Sequence, residues 1–413
     1  MKKLKRFLLI AILLALLPGF IFAGGQKEKP KVTFFWALYD GLTEDFRASL
    51  QDAFMKANPD IDLDIVPVPW KNMHDKITTS LAGGNPPEIS VIGTRWLLEL
   101  MGMNAVDEVS KYVSKSTLDN IAPGAMEAKI NGKLMGLPVA AGARIMAINS
   151  SITTFVPKTM EELRQEAIRV NNPPNVYGLI MPGKKHTELT DFAYYLLAAG
   201  GYFFEIKPDG SYGKCTVNSP AGVKALTFMN QLANVDKVVQ KGYLSMNRME
   251  SHPVFYAGKA AYVFIGAWVE SAMKQAKSNF KPIYAQIPPF KGNKSTPLII
   301  TDSIAFFKDA KNLKAAGKFI DFFYQDKWKA KFDELVGFPP VTISASKLPQ
   351  FQTPLYKTLG EAALNAKGWP LMDGWAEYSD IIWDAVQNVF LQKQTPKEAL
   401  DEAAAKIDKA RGM

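Results

Sequence analysis

Val32-Thr33-Phe34-Phe35-Trp36, then Ile61-Asp62-Leu63-Asp64-Ile65, then Ile89-Ser90-Val91-Ile92 are three short runs that, with what separates them, decide the fold. The first is β-branched and aromatic, of strand length and apolar throughout, the pattern of a fully buried strand. The second alternates, so its isoleucines and leucine share one buried face and its three aspartates the opposite, solvated one; they are not a carboxylate cluster. Between these two runs, Asp40-Gly41 makes a turn and Thr43 stands as N-cap. Phe46, Leu50, Ala53 and Phe54 then recur at helical spacing until Asn58-Pro59 stops the helix. Between the second and third runs, Trp70, Met73, Ile77 and Leu81 mark another amphipathic helix, closed by Gly83-Gly84. Strand, helix, strand, helix, strand predicts a mostly parallel sheet flanked by helices, an α/β fold. The alternation returns later in the chain. Thr159 and Glu162 have capping-box spacing before Met160, Leu163 and Ile168; Thr190 starts an apolar helix that ends at Gly200-Gly201; Ser219-Pro220 pairs an N-cap with a first-turn proline. At 413 residues, two α/β lobes fit better than one.

Composition narrows the function. With 47% hydrophobic and 22% charged residues the chain is an ordinary globular one, not disordered, collagenous or coiled-coil. Cys215 is the single cysteine, which excludes an intrachain disulfide framework and a multi-cysteine metal centre, and three histidines leave little for a histidine-rich one. No cofactor is expected. The formal charge of +9 is inflated by Lys2, Lys3, Lys5 and Arg6, which precede the apolar run 7–17, the breaker pair Pro18-Gly19 and the small residues of Phe22-Ala23-Gly24. That order reads as a secretory signal peptide over residues 1–23, cut after Ala23, followed by a polar tether over 24–31. Without residues 1–23 the chain has 45 basic and 40 acidic side chains, +5 over 390 residues, too weak a bias for a nucleic-acid partner. No cysteine stands at the cleavage site, so the expectation is a soluble periplasmic protein rather than a lipoprotein.

Catalytic signatures are missing: no G-x-S-x-G, H-E-x-x-H, Walker A or strand-following G-x-G-x-x-G occurs. Gly83-Gly84-Asn85-Pro86-Pro87 follows a helix and precedes a strand, the reverse of a phosphate-cradling loop, and Tyr194-Tyr195 point about 100° apart on a helix, as core residues do. The aromatics carry more information. Among eight tryptophans, Trp36, Trp96, Trp268 and Trp375 lie where strands give way to loops, and the carboxyl ends of parallel strands are where α/β proteins bind ligands. A sugar ring offers an apolar C–H face and a belt of hydroxyls, so it calls for flat aromatics with fixed polar groups such as Asp40, Thr94 and Arg95.

Taken together, these residues resemble the extracellular solute-binding proteins of ABC importers, in the maltodextrin-binding-like, sugar-binding branch. The resemblance is carried by Gly83-Gly84-Asn85-Pro86-Pro87-Glu88 running into Arg95-Trp96; by Asn131-Gly132-Lys133-Leu134-Met135-Gly136-Leu137-Pro138 with Asn149 after it; and by Phe255-Tyr256-Ala257-Gly258-Lys259 followed by Gly266-Ala267-Trp268. Ile287-Pro288-Pro289-Phe290, Gly337-Phe338-Pro339 and Thr395-Pro396-Lys397-Glu398 complete it. It implies a two-lobed periplasmic-binding-protein fold (type II), each lobe a mostly parallel sheet flanked by helices, with the ligand in the cleft between. Lobe 1 would be 32–139 plus 297–338 and lobe 2 140–296 plus 339–413, with hinges near 139–144, 291–296 and 338–340. Position by position, the resemblance implies ligand contacts at Trp36, Asp40, Gly41, Thr94, Arg95 and Trp96 from the first lobe, Arg144 at the hinge, and Trp268 and Trp375 from the second. His186 is a further cleft candidate. Three departures stand out: Glu88 replaces the more usual Asp, Ala147-Ile148 replace tyrosines often found before Asn149, and Thr301-Asp302 stand where many members have glycines, which brings Asp302 into play as a ligand carboxylate.

The implied protein is no enzyme. It would be a monomer whose partners are a small-molecule sugar and the membrane permease subunits of an ABC transporter, and it would close on its ligand before delivering it. Two other readings remain at this level. One is a binder of an anionic metabolite such as a glycerophosphodiester or sugar acid, favoured if Arg95, Arg144 and Lys184-Lys185 face the cleft. The other is an exported carbohydrate-active enzyme, which needs two carboxyls flanking the scissile bond. The weak net charge and the tryptophans favour a neutral sugar.

Overall fold

The computed structural model describes residues 29–413, apart from 123–124, 131, 186–189 and 209–210. The signal-peptide reading and most of the tether therefore lie outside the described residues, as do Asn131 and His186. Among the described residues no helix is long and apolar enough to cross a membrane.

The three opening runs form β1 (Lys31–Leu38), β2 (Asp62–Pro69) and β3 (Ile89–Gly93), joined by α1 (Glu44–Ala57) and α2 (Trp70–Ala82). β1 pairs in parallel with both β2 and β3. The Thr43 hydroxyl accepts from the Phe46 amide, capping α1. β1 is buried nearly throughout, whereas β2 buries Leu63 and Ile65 and leaves Asp62 exposed; Asp64 meets Lys31 at 2.9 Å. Glu88, the departure before β3, accepts from the Thr33 amide at 2.8 Å and so ties β1 to β3.

The first sheet runs β2-β1-β3-β10-β4, where β4 is Val106–Asp107 and β10 is Ile299–Phe307, with β5 (Leu137–Ala143) also paired to β10. The second has β6 (Ile145–Asn149), β7 (Tyr177–Ile180), β8 (Ala260–Ile265) and β9 (Pro282–Gln286) in the order β9-β6-β8-β7. α3 (Met160–Val170), α4 (Thr190–Ala198), α5 (Pro220–Asn230), α6 (Arg248–Tyr256) and α7 (Val269–Gln275) belong to this second lobe. Two α/β lobes are thus present, with two large apolar cores.

The chain crosses between lobes at Arg144, whose amide bonds the Leu298 carbonyl at 2.7 Å, and again over 287–298. The third crossing differs from the expectation at 338–340. After α8 (Leu313–Phe323) and α9 (Asp326–Val336), residues 341–343 pair back onto 120–122 of lobe 1. α10 (Pro354–Ala363) then packs across β5, β6 and β9. The crossing comes after it, where Lys367 brackets Pro297 and Ile299 with two backbone hydrogen bonds. The proline of Gly337-Phe338-Pro339 breaks a helix but does not end the lobe.

Candidate functional site

At the gap between the lobes the carboxyl ends of β3 and β8 stand beside the amino ends of the antiparallel strands β10 and β6. On the first side, β3 ends at Gly93 and the chain turns through Thr94, Arg95 and Trp96. A Cβ at Gly93 would sit 2.3 Å from the Arg95 guanidinium, so the glycine lets that side chain fold back across the strand end. Thr94 shares a 2.8 Å hydrogen bond with Ser303. Asp302 lies at an irregularity in the β10 register, opposite Gly93 and Ala140. It accepts from the Tyr39 hydroxyl at 3.1 Å and faces Arg95 at 3.9 Å. On the second side, Trp268 follows β8. A Cβ at Gly266 would land 1.9 Å from its ring, so that glycine lets the indole lie against the strand end.

The charged groups of the two lobes influence one another in a chain of neighbours. Glu127 feels Arg95 and Asp302; Arg144 feels Asp302 and Arg248; Asp191, in the first turn of α4, feels Arg144 and Arg248; Asp40 feels Arg248. Tyr194 lies beside Arg144, which opposes the rise that burial imposes on its hydroxyl. Burial dominates every shift among these groups. It pushes the Asp191 carboxyl well above the usual range and raises Asp40, with Arg248 the first opposing influence. Glu127 is solvent-exposed as a residue, although protein atoms crowd its carboxyl. Desolvation, opposed by Arg95 and aided by Asp302, lifts it to about 7, and the Thr301 hydroxyl donates to it.

This makes Glu127 a pH-dependent load on the fold. A carboxyl raised from 4.5 to about 7 costs nothing below 4.5 and its full penalty above 7, so stability falls as pH rises through that window. Glu127→Gln is expected to be the more stable protein at pH 8 and to flatten the profile, checked by thermal melts from pH 5 to 8. Identical profiles for the two proteins would contradict this.

The expected site residues separate into two groups. Asp40, Gly41, Arg95, Arg144, Trp268 and Asp302 come together along the gap, with Thr94 and Trp96 packed directly behind Arg95, whose guanidinium lies 4.8 Å over the Trp96 ring. Trp96 is itself buried against Trp70 and His74. Trp36 is elsewhere. It is 0% exposed, ringed by Phe34, Phe46, Phe323 and Phe332, in the core of the first lobe. Trp375 opens α11 (Trp375–Phe390) and packs on Phe203 and Trp369, at a helix that also touches the Thr94–Trp96 turn. Lys185 is ion-paired with Asp380 of that helix. Glu127, Asp191, Tyr194 and Arg248 were missed. The one available signal was Asp191, an acid in the first turn of an otherwise apolar helix.

Between α6, α7 and Asp40 lies a cavity of about 240 Å³, lined by Arg248, His252, Tyr256 and Gln275 among others. The lobes meet on both flanks of the gap. Gly41 is wedged between Leu335 and Ser271, Gly337 lies against Ala267, and Gly102 lies near Asp373. Among the described residues no group of three or more His, Cys, Asp or Glu side chains is arranged to hold a metal ion.

Residues 39–330 match the family model described as "Bacterial extracellular solute-binding protein". A Brucella abortus protein described only as a binding protein is 29% identical over 90% of this chain and 91% of its own. The maltotriose-binding protein of Pyrococcus abyssi is 24% identical over 87% and 76%, and the sn-glycerol-3-phosphate-binding periplasmic protein of Salmonella typhimurium 24% over 92% and 92%. In fold the chain is similar to a Thermotoga lettingae ABC transporter solute-binding protein bound with alpha-D-tagatose, with a TM-score of 0.83, 21% identity and coverage of 92% and 99%. With the family model matched over most of its length, the chain belongs to the bacterial extracellular solute-binding proteins.

Proposed function

We propose that this chain is the solute-binding subunit of an ABC importer, that it captures a carbohydrate between its lobes, and that its closed form delivers the ligand to a membrane permease. The observation that carries this reading is the set of mutually influencing charged groups, Arg95, Asp302, Arg144, Asp191, Arg248 and Asp40, gathered beside Trp268. These groups come from both lobes, and the Nε atoms of Arg144 and Arg248 are buried without a hydrogen bond. Buried polar groups left unpaired cost about 1–3 kcal/mol each, so a ligand rich in hydroxyls gains by filling them. Because it contacts both lobes, it favours the closed form by its differential affinity. The relatives named for maltotriose and for sn-glycerol-3-phosphate share that ligand chemistry. The reaction asks for no covalent step; Asp302 is held by Tyr39 and Arg95, as a hydrogen-bonding group would be.

A thermal-shift screen over sugars, polyols and their acidic derivatives tests this reading. A true ligand at 100 times its Kd adds about 2.7 kcal/mol of stability. Trp268→Ala is expected to weaken that ligand at least about tenfold while circular dichroism shows the fold retained. If the variant instead unfolds, with affinity per folded molecule unchanged, Trp268 is only a core residue. Stabilisation by amino acids or peptides and by no carbohydrate would overturn the proposal.

A further inference from the structure

Two guanidiniums share one indole. The Arg144 Cζ lies 4.7 Å from the centre of the Trp268 ring and the Arg248 Cζ 4.4 Å from it. Arg144 leaves the hinge and is 3% exposed; Arg248 is the first residue of α6 and borders the 240 Å³ cavity. Four other arginines face carboxylates: Arg47 meets Glu44, Arg95 meets Asp302, Arg164 meets Asp236 and Arg169 meets Glu166, while Arg411 donates to the Tyr212 and Gly213 carbonyls. Arg144 and Arg248 make no such pair within 4.0 Å among the described residues. Arg144 donates to the Gly142 carbonyl at 3.4 Å and lies beside Tyr194, and the Nε of each arginine is buried and unpartnered.

Asp302 acts on Arg144 from beyond ion-pair distance, and the other acids that face the pair are held back by burial. Asp191 on α4 is fully enclosed, and burial drives its carboxyl toward the neutral acid; Asp40, across the gap on the first lobe, is raised as well. Tyr194 and Tyr256 are held in the phenol form by burial, and His252 stacks parallel to Trp268 at 6.3 Å. The two guanidiniums also oppose each other, Arg248 disfavouring the charge on Arg144. A buried guanidinium such as that of Arg144, with no carboxylate in direct contact, is costly, and the face of one indole compensates only partly. What fits is an oxyanion, because a carboxylate or phosphate accepts from guanidinium forks in a planar, two-point geometry.

We infer that the ligand is an acidic carbohydrate: a hydroxylated body lying toward Glu127 and Asp302, bearing an oxyanion held by Arg144 and Arg248 beside Trp268. This rests on the carbohydrate reading above and departs from the neutral sugar that the weak net charge favours. Net charge averages over the whole surface, whereas selection is made by the two arginines. Arg95, the obvious candidate from sequence, already has Asp302 opposite it.

Isothermal titration of the full chain with matched pairs tests the inference: glucose with glucuronate and with glucose 6-phosphate, galactose with galacturonate, and short neutral oligosaccharides with their uronate counterparts. One acidic member is expected to bind at least about tenfold tighter than its neutral parent, less so as salt rises, and the arm that wins distinguishes carboxylate from phosphate. Arg248→Gln, at a half-buried position, should bring the pair within about threefold with the fold retained by circular dichroism; Arg248→Lys should keep part of the preference. The inference fails while the carbohydrate reading stands if the neutral parents bind as tightly as the acids, or if Arg248→Gln leaves the preference intact. Binding by none of these compounds overturns both.

Discussion

Lys329→Met is expected to destabilise the first lobe by about 3–5 kcal/mol, the cost of leaving one member of a buried ion pair alone. Lys329 and Asp333 stand four residues apart on α9, both 0% exposed and joined through the Lys329 amine and one Asp333 oxygen. The other oxygen has no partner, and burial lowers the lysine while raising the aspartate to about 7. Without Lys329, Asp333 must stay protonated to stay inside. Its folded pKa then lies far above the unfolded value, and the variant should lose stability as pH rises from 5 to 8. Lys329→Met with Asp333→Leu should recover most of the loss, because an apolar pair replaces an ion pair at little cost. Urea denaturation at three pH values measures this. A loss below about 1 kcal/mol for the single variant would show that water or a rearrangement reaches the site. The pair bears on function because α9 underlies the gap: Phe332 packs on Trp36 and Tyr39, and Gly337 follows the helix.

The second large effect should be on binding rather than folding. Gly337 has φ +78°, and a Cβ there would lie 2.4 Å from the Ala267 carbonyl oxygen and 3.1 Å from the Trp268 Cα, both on the other lobe. The left-handed backbone costs alanine about 1 kcal/mol in any lobe arrangement. The clash exists only when the lobes are together, and relieving it by overpacking costs about 1–3 kcal/mol more. Gly337→Ala should therefore weaken ligand binding about tenfold to a hundredfold while shifting Tm only modestly. Titration and a thermal melt of the same sample check both halves. Gly41→Ala does not separate them, because its Cβ would strike the Leu335 carbonyl within its own lobe.

What could be read from sequence follows from the range of the interactions involved. The order of β1, α1, β2, α2 and β3 is encoded in local periodicity and caps, and Thr43 and Ser219 cap their helices where expected. The Thr159 hydroxyl caps α3 too, but Glu162 reaches the Lys158 amide rather than closing the box on Thr159. The third crossing was misplaced because it depends on 341–343 pairing with 120–122, a contact across more than 200 residues that leaves no local mark. The site shows the same division. Turn-flanked Trp268 and Asp40 could be picked out, yet Trp36 occupies an equivalent sequence context and sits in the core, since only packing decides which face of a strand end is covered. Arg248 and Glu127 carry no pattern at all; their importance appears when two lobes bring them to one gap.

Small-angle scattering of the protein with and without its saturating ligand tests most directly the claim that the solute is held between closing lobes. A smaller radius of gyration is expected with ligand than without it, and a Gly337→Ala protein, whose added Cβ meets the Ala267 carbonyl, is expected to stay expanded at the same ligand concentration. Saturable binding that leaves the radius of gyration unchanged, with Gly337→Ala binding as tightly as the unaltered chain, would contradict it.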